Sequence, residues 1–293
     1  MALQILSCVW GKNHIELFKK TALESLSWDK NKKTLIEAQT IWNIITDDVD
    51  LMREITKDLP DPLYPIVNIR SIAEHRDYID QVQSASIWQM ERSVQAKEKV
   101  LLAPPDTIFG DGTVDNLLAA GKDDDSVVVV PHARVLPSIL NEMESFYLPV
   151  DNGPLVALAW RHLHDAWVHG ERGHANQSSY VGGVEWWRVN NLIQGTHRLP
   201  SPYLIQFTKE DLQYFKSAIS FGNFDHVWPS DILIPRGRQR YLGSSDAAFI
   251  VEITDPNKNV PPIIENQPKT GFWKDHLQNR SNAQIIFTFR GST

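Results

Sequence analysis

Only one cysteine, Cys8, occurs in the 293 residues, which excludes a disulfide framework and any zinc site built on thiolates. Basic residues do not gather: 29 Lys and Arg stand against 36 Asp and Glu, a net charge of -7, and only Arg236, Arg238 and Arg240 cluster. A protein that neutralises nucleic-acid phosphates needs a basic stripe, so that class is set aside and the three arginines read as a solvated loop. No apolar run is long enough to span a membrane, and no basic region followed by an apolar core opens the chain. A soluble, cytoplasmic protein is the expectation. A Walker-type phosphate loop, a GxGxxG fingerprint and an HExxH helix are also missing, so the P-loop, classical dinucleotide and zincin readings have no motif behind them.

What is present is an ordinary globular composition, 42% hydrophobic, long enough for one large core or two modest domains. Leu3 to Val9 reads as a strand, followed by a Trp10-Gly11 turn and a helix with Ile15, Phe18, Ala22 and Leu26 on one face. Thr40 to Ile45 is a second strand ending in Thr46-Asp47-Asp48, and Ile66 to Ile69 a third after a proline-rich loop. Ser71 with Glu74 forms a capping box for a long helix carrying Ile72, Ile79, Val82, Ile87, Met90 and Val94. The stretch Leu101 to Gly112 reads as a buried strand that delivers Asp111 to an edge. A short helix then runs from Thr113, its N-cap, to Ala120 with Gly121 at C′, before the strand Val127 to Val130. This alternation predicts an α/β fold, a mainly parallel sheet with helices on both faces. The run Lys122 to Asp125 reads as a solvated loop.

After Pro137 the texture changes to a less regular α+β half. Helices are expected over Ser138 to Tyr147 and Leu155 to Val168, with a turn at Asp151 to Pro154 between them. A Gly-, Ser- and Asn-rich loop covers Gly170 to Gly183. Strands are expected over Val184 to Val189, Pro202 to Phe207, Ala248 to Ile253 and Ala283 to Phe289.

Three constellations could carry chemistry. If the early strands are parallel, Trp10-Gly11, Thr46-Asp47 and Asp111-Gly112 leave the same sheet edge, where α/β proteins bind ligands. Gly11 admits backbone to a ligand, Trp10 offers a ring face, Asp47 accepts from a base or ribose, and Asp111 could hold a divalent cation. Asp and Gly also simply cap helices and make turns. A second group, His162, His164, His169 and His174 with Asp165 and Glu171, has metal-binding residue types but poor helical spacing for one site. The third is aromatic: the chain holds ten tryptophans, and either Trp186 or Trp187, which face opposite ways on a strand, could stack on a sugar ring. His197 and Asp246 are further polar residues near predicted strands.

Cys8-Val9-Trp10-Gly11, Ile44-Ile45-Thr46-Asp47 and Pro105-Asp106-Thr107-Ile108-Phe109-Gly110-Asp111-Gly112 together resemble glycosyltransferases of the GT-A fold, in particular the glycosyltransferase-like proteins of bacteria and their viruses. The resemblance covers the first half; Ser244 to Glu252 extends it weakly into the second. It implies a Rossmann-like nucleotide-sugar-binding half over 1–137 and an acceptor-side half over 138–293, joined as one continuous GT-A-like domain. Trp10, Gly11, Thr46 and Asp47 would hold the nucleotide, and Asp111, helped by His197, would bind Mn²⁺ or Mg²⁺, although the turn carries one aspartate where DxD has two. Glu185 and Asp246 are the candidate bases, and Trp186 and Trp187 the acceptor platform. The reaction implied is sugar transfer from a nucleoside-diphosphate sugar to a glycan or other hydroxyl acceptor, in the host cytoplasm if the protein is viral. Two rivals stay open: a non-catalytic glycan-binding or structural protein derived from such an enzyme, and a metal hydrolase using the histidine group.

Overall fold

The computed structural model describes residues 2–59, 63, 66–74, 81–122, 127–130, 132–145, 148–168, 184–189, 192–197, 202–218, 238–257 and 283–288. Strands β1 (Leu3–Val9), β2 (Ile41–Thr46), β3 (Val67–Ser71) and β4 (Lys99–Leu102) are mutually parallel in the spatial order β4-β1-β2-β3. β1 and β2 are buried along nearly their whole length, as strands covered on both faces must be. Helix α1 (Lys12–Phe18) runs on through a π turn, Lys19–Leu23, into α2 (Glu24–Leu26), and α3 (Asp29–Glu37) follows. Next come α4 (Val49–Thr56) after β2 and α5 (Gln81–Ala96) before β4.

Further on lie β5 (Thr107–Phe109), α6 (Thr113–Ala120), β6 (Val127–Val129), β7 (His132–Val135), α7 (Ser138–Met143), α8 (Asn152–Arg161) and α9 (Asp165–Val168). The rest is β8 (Val184–Val189), β9 (Leu192–His197), β10 (Pro202–Ile205), α10 (Lys209–Ala218), β11 (Gln239–Tyr241), β12 (Ile250–Ile253) and β13 (Ala283–Thr288). The main sheet has the order β11-β6-β10-β4-β1-β2-β3, in which β10 alone runs antiparallel to its neighbours. Ile15, Phe18, Leu26, Leu35, Val114 and Leu117 cover one face, and Ala85, Ile87 and Met90 of α5 pack on Leu6, Ile45, Val100 and Ile205 of the other. The class is therefore the expected one, a mainly parallel, Rossmann-like α/β sheet. β10 and β11, from the second half of the sequence, are strands of the same sheet as β1 to β4.

Two smaller sheets flank it, β5-β12-β7 and β13-β9-β8. In the first, β12 is antiparallel to β5 and parallel to β7, and its outer face joins α7, α8 and Trp186 in a separate apolar cluster.

Several local expectations are corrected. Leu101 to Gly112 is not one strand: Pro104-Pro105 ends β4, and the chain re-enters a different sheet as β5. The N-cap of α6 is Gly112, at φ +88°, and Thr113 is its first residue; the Thr113 hydroxyl instead donates to Asn152 Oδ1 at 2.9 Å inside the core. At its other end Gly121 closes the helix at φ -89°, so its smallness serves packing: a Cβ there would stand 2.8 Å from Leu204. The Ser71/Glu74 box makes its bonds, Ser71 N–H to Glu74 at 3.3 Å and Ala73 N–H to Ser71 Oγ at 3.2 Å, but around a single 3-10 turn, Ile72–Glu74, rather than at the start of α5. The helix begun at Ser138 ends at Met143. Asp151 to Pro154 is the start of α8, not a free turn, and the helix expected to Val168 breaks into α8 and α9. Strands β7, β9 and β11 add to the expected set; β7 and β11 are only four and three residues long. Arg238, just before β11, is not solvated: it pairs at 2.7 Å with Asp211, which is fully buried. Arg236, Asp123 to Asp125, His169, His174 and the loop Gly170 to Gly183 lie outside the described residues.

Candidate functional site

β1 and β2 end in register, Val9 opposite Thr46, so the Trp10-Gly11 and Asp47-Asp48 turns leave the sheet side by side. Gly11 has φ +77°, a conformation glycine adopts without strain, and a Cβ there would meet nothing within 4 Å. Its N–H donates to both oxygens of Asp47, at 2.9 and 3.0 Å, tying the two turns together. Asp47 is exposed and keeps lone pairs for a further donor. Trp10 is 43% exposed, beside the His14 ring at 6.2 Å. Thr46 is buried; its hydroxyl accepts from Asp48 N–H at 3.2 Å, and Asp48 caps α4 through Leu51 N–H at 2.9 Å. Three of the four predicted nucleotide residues thus form one open surface at the carboxyl edge, with Thr46 shaping the turn beneath.

Asp111 does not join them. From Gly11 to Ser25 the helix carries the chain about 20 Å away from that edge. The segment after β4 follows it: Thr21 Oγ1 donates to Pro105 O at 2.6 Å, Phe109 N–H to Ser25 Oγ at 3.1 Å, and Asn31 Nδ2 to Gly110 O at 3.1 Å. β5 therefore delivers Asp111 to the far end of that helix, against α3. There Asp111 Oδ1 accepts from the N–H groups of Lys30 and Asn31, at 3.0 and 3.1 Å, and is 4% exposed. Asn31 returns the contact, its Oδ1 accepting from Gly112 and Val114 N–H at 3.1 Å each. Two helix starts cap each other.

Asp111 and Asp246 do meet, in a cleft of about 540 Å³ lined also by Lys30, Glu37, Asp115 and Asp151. Lys30 is held above its ordinary value by its bond to Asp151. Five carboxylates against Lys30 and Lys33 make this a poor place for a diphosphate. Among the described residues no three His, Cys, Asp or Glu side chains converge as a metal would require. Asp111, with Oδ1 held by two backbone N–H groups at the far end of the helix, therefore does not fit a divalent ion poised against a ligand at Gly11 and Asp47.

By register β4 ends at the level of Leu6, three residues short of Val9, and the carboxylate beyond its end is Asp106, which the sequence reading passed over. It immediately precedes β5, and its carbonyl accepts from Ile253 N–H at 2.8 Å, extending the β12–β5 ladder by one residue. The Pro104-Pro105 pair was the available signal for a break there, since neither proline can donate to a strand ladder. Beside it Arg134 Nε and Glu252 pair at 3.1 Å across β7 and β12. The Tyr203 hydroxyl, fully buried, is pushed well above its ordinary range by desolvation, then by Glu252 and Asp106, with Arg134 acting the other way.

In the second half, Trp186 is 2% exposed and its indole N–H donates to Trp167 O at 2.7 Å, so it is a core residue and not an acceptor platform. Trp187 is half-buried. Glu185 lies opposite Thr196 and His197 opposite Val184 in the β8–β9 ladder; their side chains are outside the described residues. His162 contacts Ser138 Oγ at 2.8 Å through Nδ1 and Glu142 through Nε2, whereas His164 is buried and reaches Asp255 O at 3.2 Å. The two histidines serve separate contacts rather than one metal.

No family model matches the chain. No curated protein matches it either. Among solved structures it is similar to a Bacillus anthracis protein assigned as a glucose-1-phosphate thymidylyltransferase, in complex with a sucrose, at 13% identity and TM-score 0.40 over 82% of this chain and 86% of that one. It is also similar to mouse xyloside xylosyltransferase 1 in its apo form, at 12% identity and TM-score 0.34 over 99% and 98%. Among the described residues no helix is long and apolar enough to cross a membrane.

Proposed function

We propose that this chain is a nucleotide-sugar-dependent glycosyltransferase whose donor lies along the carboxyl edge, from Trp10, Gly11 and Asp47 to Asp106. The observation that carries the reading is the double contact of Asp47 with Gly11 N–H beside an exposed Trp10. A ring face for a base, a carboxylate for base or ribose hydrogens and an unobstructed glycine are gathered at the ends of adjacent parallel strands, where α/β sheets take nucleotides. In the transfer the acceptor oxygen bonds to the sugar C1, the C1 to phosphate-oxygen bond breaks, and the nucleoside diphosphate leaves with that electron pair. The hydroxyl proton needs a base if the outcome is inversion. Glu185 is kept as that candidate; Asp246, facing the far cleft, is not.

A thermal-shift panel of nucleotide-sugars and nucleoside diphosphates, with and without Mn²⁺, tests the reading. At a hundredfold excess over Kd a ligand stabilises by about 2.7 kcal/mol, a shift of several degrees. Asp47→Ala should abolish the shift. Asp111→Ala should keep it while lowering the unliganded Tm. Absence of any shift for the parent protein would overturn the proposal in favour of a non-catalytic role.

A further inference from the structure

β12 and β7 alternate, and the two sides of the pair differ in kind. Ala133, Val135, Val251 and Ile253 belong to the apolar cluster with α7 and α8. On the other side stand His132, Arg134 and Glu252, in register with Thr107 of β5 and turned toward Tyr203 of β10, whose ring lies 6.2 Å from His132. Two residues beyond Glu252, on the same side by alternation, Thr254 is 6% exposed and its hydroxyl has no hydrogen-bond partner among the described residues. A buried hydroxyl without a partner costs stability unless a ligand completes it.

The Arg134–Glu252 contact engages Nε, which leaves the two terminal nitrogens, with four of the five guanidinium N–H donors, for a second anion. The side chains are 23% and 16% exposed, shielded enough to strengthen a charge contact and open enough to be reached. Ile253 N–H on Asp106 O sets the end of β12 against the connection that leaves β4 for β5. The ends of β2 and β4 are two strand spacings apart, and by register β4 stops at the level of Leu6, three residues short of β2, so the ends stand about 14 Å apart, on the scale of an extended nucleoside diphosphate. A donor whose base sits at Trp10 and Asp47 therefore brings its phosphates to the β4–β12 corner.

We propose that Arg134 receives the donor's diphosphate at this corner, with the Thr254 hydroxyl as a second donor and Glu252 as the carboxylate that holds the guanidinium until phosphate arrives. This rests on the nucleotide-sugar reading above. Arg134 gives the planar, two-point contact that phosphate oxygens favour, and its charge offsets the negative charge that grows on the leaving diphosphate.

Calorimetric titration in EDTA, using UDP, dTDP, GDP and ADP and their nucleosides, tests it. Arg134→Gln should weaken the preferred diphosphate tenfold or more and leave its nucleoside unchanged. Arg134→Lys should lie between parent and Arg134→Gln. Glu252→Gln removes the competing carboxylate and should tighten the diphosphate severalfold, an outcome that a merely structural pair does not give. Unchanged diphosphate affinity in Arg134→Gln, or equal weakening in Glu252→Gln, overturns the role of Arg134 while the nucleotide-sugar reading stands. A parent protein that binds none of the eight compounds overturns both.

Discussion

At the residue scale, two side chains that look alike in sequence have different duties. Asp47 and Asp111 each follow a strand and precede a helix, yet one faces solvent at the carboxyl edge and the other is a helix cap. Asn31 is the more consequential partner of Asp111, for it is fully buried and saturates four backbone groups: Ser25 O, Gly110 O, Gly112 N–H and Val114 N–H. Asn31→Ala should cost about 3 kcal/mol, since the Gly112 and Val114 N–H groups lose their acceptor while Gly110 O and Ser25 O keep the Thr113 and Trp28 N–H groups. Asp111→Ala should cost about 1 kcal/mol, the usual loss of a cap. Urea midpoints at neutral pH check the order, and an equal or reversed order refutes the capping account. The Trp10-Gly11 and Thr46-Asp47 turns were legible in sequence because glycine and aspartate there follow unbroken apolar runs. The separation of Asp111 was not, because it depends on which sheet β5 joins, and three residues of strand carry no label for that.

At the element scale, α7 and α8 are fastened by Glu142, which meets both Arg161 and His162. Arg161 first and His162 second hold the Glu142 carboxyl below its ordinary value of 4.5. A lowered folded value means that the stabilisation is complete above about pH 4.5 and is lost as pH falls through the lower folded value. The pair is partly solvated, so the effect is small. Glu142→Gln should flatten the acid limb of the curve of urea midpoint against pH and leave the neutral limb's slope unchanged; an unaltered acid limb would show that the contact contributes nothing. Long periodic elements such as β1, β2 and α1 could be read from sequence because their burial repeats. β7 and β11 could not: each is four residues or fewer, and each is held by a neighbour distant in sequence rather than by its own pattern.

At the scale of the whole molecule, β10 ties the late sequence into the early sheet. It lies between β4 and β6, pairing Leu204 with Leu101 and with Val128, and Leu204 belongs to the same apolar cluster as both. The chain after Pro137 therefore supplies a strand to the middle of the sheet that the chain before it begins. A fragment of residues 1–137 should be unfolded or aggregated by circular dichroism and gel filtration, since it leaves the facing edges of β4 and β6 bare. A monomeric fragment with a cooperative melt would contradict this.

The mutual capping of α3 and α6 also has a kinetic meaning. Neither first turn can fray while the other is formed, because the amides of Lys30 and Asn31 are held by the α6 side and those of Gly112 and Val114 by the α3 side. These four hydrogens should exchange with deuterated water at one shared rate, that of opening both turns at once, though they lie some eighty positions apart along the chain.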